Sequence, residues 1–74
     1  MSVPPGSYKT KGGLSARVAR LRTEGGKWFL EGAIQDPETG IWVMHDWKPS
    51  GLSYINDLLG DPVPPVTDYD LEVE

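Results

Sequence analysis

Two turn signals cut the middle of this chain into three short segments, and they constrain its fold more than any other feature. Gly25-Gly26, between Glu24 and Lys27, suits a two-residue hairpin, because a type I′ turn needs positive φ at both central positions. Asp36-Pro37-Glu38-Thr39-Gly40 suits a second hairpin. There Pro37 presets φ, Asp36 accepts local backbone hydrogens and Gly40 supplies the left-handed residue. The segments so delimited, 16–24, 27–36 and 41–48, are expected as antiparallel strands. Leu14, Val18 and Leu21 also fit a helical stripe, with Ser15 as its cap and Gly25 as its end. A hairpin at Gly25-Gly26 needs a partner for Lys27 to Gln35, however, and that need favours a strand.

Beyond Pro49, Ser50 is a good N-cap, and Leu52, Ile55, Leu58 and Leu59 follow at helical spacing until Gly60 and Pro62. The spacing predicts a helix of about two turns, too short to persist without packing. The expected class is α+β: a three-stranded antiparallel meander packed against one short C-terminal helix, with a fourth strand if residues 67–73 pair. The expected organisation is a flexible basic arm over 1–13, a βββα unit over 14–60, and a Pro-rich linker with an acidic strand or tail over 61–74. In that last stretch Tyr69, Leu71 and Val73 alternate with Asp68, Asp70 and Glu72, a pattern that fits a strand or a tail ordered by a partner.

If both hairpins close, opposed residue numbers add to 51 across the first turn and to 77 across the second, and opposed side chains share a face. One face then gathers Ala19, Leu21, Trp28, Leu30, Gly32, Ile34, Ile41, Val43, His45 and Trp47, with Arg17 at its edge and room for the helix stripe. The other face falls into cross-strand rows. Arg22, Phe29 and Lys48 make one row, and Arg20, Glu31 and Asp46 the next. Val18, Ala33 and Met44 follow, and Ala16, Gln35 and Trp42 make the last.

Charge divides unevenly along the chain. Residues 1–27 hold six cations against one acid, whereas residues 28–74 hold one cation against ten acids. Such asymmetry marks either a bipolar binding protein or two halves that neutralise each other in the fold. With 74 residues the chain allows one domain. The absence of cysteine excludes disulfides and thiolate metal sites. No apolar leader core and no run of about 20 apolar residues occurs, so a cytoplasmic protein is expected.

The chemistry-bearing residues are sparse. His45 is the single histidine and falls on the apolar face, which suits a structural role. Glu31 and Asp46 form a carboxylate pair, but Arg20 between them favours a charge ladder over acid/base catalysis. The serines have no adjacent base, and no phosphate-binding loop occurs. No enzyme, cofactor, metal or small-molecule substrate is expected.

Arg17, Arg20 and Arg22 on the first strand, Lys27-Trp28 opening the second, and Asp36-Pro37 leading into the third with Trp42 carry one likeness. The topology over 16–59 resembles the small DNA-binding domains of plant ethylene-response factors and phage integrase arms. That resemblance implies a sheet face laid in the major groove. Glu31 and Asp46 on the same face, and the acidic second half, depart from a phosphate-binding surface.

The expectation is therefore a non-enzymatic protein-interaction module. It would be a small regulator or inhibitor that docks on a larger assembly, a phage-type modulator of host RNA polymerase being one example. The contacts would come from Lys9 and Lys11 of the arm and from Arg17, Arg20, Arg22, Phe29, Trp42, Met44 and Lys48 of the sheet. The partner is expected to be a protein, with a nucleic-acid-processing complex among the candidates and no membrane involved. A nucleic-acid binder using the same cations is the first alternative, and a structural subunit of a larger particle the second.

Overall fold

The computed structural model describes residues 2–73. It forms one antiparallel sheet in the order β1 (Gly6–Lys9), β2 (Ser15–Glu24), β3 (Lys27–Gln35) and β4 (Trp42–Trp47), followed by a single helical turn, α1 (Ile55–Leu58). The expected α+β meander with one short helix is what forms, and β2 is a strand rather than a helix. Both turns work as their residues suggest. Gly25 and Gly26 take φ of 57° and 79°, and Asp36 Oδ1 accepts the Glu38 amide at 2.8 Å.

The register across the second turn is the expected one, from Gln35↔Trp42 through to Leu30↔Trp47. Across the first turn it holds from Glu24↔Lys27 to Arg20↔Glu31 and then shifts. Ala19 is left unpaired in a β-bulge, and Val18↔Gly32, Arg17↔Ala33 and Ala16↔Ile34 follow. One extra residue reverses every later side chain on that strand. Ala16 and Val18, expected on the open face, are therefore buried, while Ala19 and Arg17, expected on or beside the core face, are exposed.

The core is accordingly small. Leu30 and Trp47 are fully buried, and Ala16, Val18 and Ile34 join them. Leu21, Trp28, Ile41 and Val43, which the alternation also assigns to this side, are exposed because no described residue covers the two ends of the face. The helix stripe is not the cover. Leu52, Leu58 and Leu59 are exposed, α1 buries no residue, and Ser50 does not cap it. Instead Ser53 Oγ accepts the Ile55 amide at 3.1 Å. The Asn56 side chain also clasps the Pro-rich loop through paired bonds of 2.8 and 2.9 Å to Val66.

The cover comes from the ends of the chain. Trp47 Nε1 donates to the Tyr69 carbonyl at 2.8 Å, and Leu71 is buried beside it. The Leu71 amide donates to Gly51 O, the Glu72 amide to Lys9 O and the Lys11 amide to Asp70 O, each at 2.8 Å. Val3, also buried, donates its amide to Pro49 O at 2.9 Å. The segment expected as a flexible arm thus supplies the fourth strand, β1. The C-terminal stretch meets the sheet edge only at the Thr10↔Leu71 bridge. Its acidic face is not all solvated, since buried Asp70 accepts the Ser53 amide at 2.7 Å.

Gly32 marks where the bulge brings two strands together. A Cβ there would collide with the Arg17 carbonyl and crowd the Trp47 ring at 3.1 Å. Backbone cannot yield as a flexible side chain does. Gly32→Ala is therefore expected to destabilise the fold by about 2–4 kcal/mol, more than an ordinary surface change. Urea unfolding beside Ala33→Gly, which removes a methyl from the neighbouring open position, checks the expectation.

Candidate functional site

The sheet has one side packed by the chain ends and one side left largely open. Alternation places Lys9 and Ser7 of β1, Arg17, Arg20 and Arg22 of β2, Phe29, Glu31 and Ala33 of β3, and Trp42, Met44 and Asp46 of β4 on the open side. Seven of the nine expected contact residues thus share one face. Lys48 lies at its border. Lys11 follows β1, its amide held by the C-terminal segment.

The bulge gives this face its most distinctive pair. By turning Arg17 outward it sets the guanidinium over the Trp42 ring, 4.9 Å from the centroid. Ala33 lies between their strands and Met44 next along β4, so small and flexible apolar groups flank a cation on an indole. Shallow hollows of about 440 and 380 Å³ run past this pair, toward Lys9, Ser15 and Gln35 on one side and Ala19 and Glu31 on the other.

The opposite end of the face is covered and charge-balanced. Tyr54 packs against Phe29 with ring centroids 5.1 Å apart, and Arg22 lies over Phe29 at 4.8 Å. Lys48 sits over Tyr54 rather than Phe29, and pairs with Asp57 at 3.4 Å. Arg20 donates to Glu31 at 2.8 Å, while Arg22 reaches Glu24 at 2.6 Å and Asp46 at 3.2 Å. The bond from Arg20 holds the Glu31 carboxyl below its ordinary range, and the Glu24 bond holds Arg22 above its own. Glu31 is thereby held in its ionised form, as a charge ladder requires and a proton-transfer pair does not. Arg17, by contrast, has no carboxylate partner among the described residues.

Sequence patterning placed Arg20, Arg22 and Trp42 on this face but missed two features. It did not place Tyr54 over Phe29, because Tyr54 reaches that face from a loop beyond β4 rather than from the meander. Nor did it pair Arg17 with Trp42, since the bulge has no glycine or proline at Val18-Ala19-Arg20 to announce it. Among the described residues no group of three or more His, Asp or Glu side chains is placed to hold a metal ion. No described helix is long and apolar enough to cross a membrane. Comparison with protein-family models, curated proteins and solved structures finds no match.

His45 lies on the packed side, and its Nε2 shares a 2.7 Å hydrogen bond with Ser53 Oγ. Trp47 and Tyr69 pack against the ring with centroids 4.9 and 5.8 Å away. Burial lowers its pKa from the ordinary 6.5, against the opposing pull of Asp46 and Asp70. The unfolded chain then holds the proton more readily than the folded one. This term leaves stability undiminished above the unfolded value and lowers it as pH falls through that value, until the folded ring also protonates. The thermal midpoint is expected to drop between about pH 7.5 and 5.5, and His45→Gln should flatten that dependence. Calorimetry of both proteins across the window checks it.

Proposed function

We propose that this chain is a non-enzymatic binding module that docks on a larger protein assembly through the open face of its sheet, acting as a regulator or inhibitor. The observation that carries the proposal is the Arg17–Trp42 pair beside exposed Met44, on a face that no other part of the described chain covers there. Arginine, tryptophan and methionine are each enriched at protein interfaces, and tryptophan and arginine among the residues that carry most of the binding energy. The pair is already in contact, so little ordering cost remains to be met on binding.

The charge balance favours a protein over a nucleic acid. Arg20 and Arg22 are occupied by Glu31, Asp46 and Glu24, which would repel phosphates at the middle of the face. The cations not committed there, Lys9 and Arg17, lie at the Trp42 end and suit an acidic rim on a partner.

The test is affinity capture with the wild type beside an Arg17→Ala/Trp42→Ala double variant and a control, Leu59→Ser, at an exposed residue that ends α1. A specific protein retained by wild type and control, but lost from the double variant, is the expected result. Titration of a random duplex and a single strand against salt is the second arm. Tight binding there, with a steep salt slope, would replace the protein-docking proposal with nucleic-acid binding.

A further inference from the structure

β4 is an edge strand, and its side away from β3 is open over half its length. Ile41 O accepts the Asp36 amide at 2.8 Å, so odd-numbered positions of this strand face β3. Lys48 N donates the other way, to Leu52 O at 2.7 Å, so even-numbered positions face outward. From Asp46 onward the outward side is closed by the Trp47↔Ser53 bridge. Before it, the outward backbone groups of Trp42 and Met44 have no partner among the described residues.

The side chains there are as open as the backbone. Ile41, Trp42, Val43 and Met44 form an uninterrupted apolar run, exposed by 62, 40, 57 and 77%. Edge strands are ordinarily blunted by lysine, proline, a bulge or a covering segment, and Ile41–Met44 has none of these. The other edge of the sheet is blunted. Lys9 O and Lys11 N are bonded to Glu72 and Asp70, and Pro4-Pro5 precedes β1.

We infer that β4 pairs antiparallel with β4 of a second copy of this chain, about a two-fold axis at Val43. The self-pairing follows from the strand itself. Centring on Val43 opposes Trp42 to Met44 of the partner twice, and both are outward-facing positions able to exchange N–H···O bonds. Val43 then meets its own copy on the packed side, and the Trp42 and Met44 side chains of both copies meet on the open side. The run contains no charge, so its copy offers a fully apolar match with no like charges opposed. One open edge and one blunted edge yield a closed dimer, whereas two open edges would yield a filament.

Val43 supplies the test, because its side chain lies off the Arg17–Trp42 face and already sits exposed in the monomer. Sedimentation of the wild type over a concentration series should show a monomer–dimer equilibrium. Val43→Lys and Val43→Glu, each opposing like charges, should raise the dissociation constant by about tenfold or more. An equimolar mixture of the two should recover a heterodimer. Circular dichroism and thermal melts of each variant establish that the fold is retained. A wild type that stays monomeric at millimolar concentration overturns the pairing. So does a Val43→Lys protein that dimerises as wild type does, or a mixture of folded variants that stays monomeric.

Discussion

The hydrogen bond from the Trp47 indole to the Tyr69 carbonyl joins the two layers on which the structure depends. Trp47 is fully buried against Leu30 in a core with few other large members. Truncating such an aromatic costs about 3–5 kcal/mol. A chain of this length has about 4–11 kcal/mol of stability in all, so the seat of one ring decides whether the sheet is folded. That seat exists only because residues near both ends of the chain lie across the sheet. They are held at Gly51, Lys9 and Pro49 by backbone bonds that no single side chain dictates.

The parts of the fold legible in the sequence are those set locally. Gly25-Gly26 and Asp36 to Gly40 announce their turns, and with them the β3–β4 register follows residue by residue. The bulge at Ala19 was not legible, since an extra residue in a strand leaves the hydrophobic pattern readable in two ways. Ala16 and Val18 alternate as well as Ala19 and Leu21 do, and only the pairing shows that Ala19 is the residue left out. The packing of the chain ends was equally hidden. Gly, Pro and Lys in the first residues are ordinary marks of a mobile arm, and only the pairing of Gly6–Lys9 with β2 makes that segment part of the sheet. The bonds of Lys9 and Lys11 with Glu72 and Asp70 tie the C-terminal stretch to it.

The candidate face shows the same division. Arg20, Arg22, Phe29, Trp42 and Met44 lie on the open side as alternation required. Their grouping into a balanced end and an uncommitted end needed geometry. The charge asymmetry along the chain resolves similarly, because mutual neutralisation of the two halves holds in part. Basic β2 is largely neutralised where Glu31 and Asp46 stand beside it, while Asp68 and Glu72 lie on the covering segment, behind the sheet.

The bulge has a consequence for how such a protein can change. Side chains on the open face can be exchanged one at a time, since each meets solvent or a partner and not the core. The length of β2 is a different matter. Ala19 alone could be removed without harm to the pattern, since Arg20↔Glu31 would then run straight into Val18↔Gly32 as a regular ladder that keeps Val18 and Ala16 inward and Arg17 outward. An insertion or deletion elsewhere in the paired part of β2 would exchange the inside and the outside of the residues beyond it. The open face can drift in chemistry, but its spacing is fixed everywhere except at Ala19.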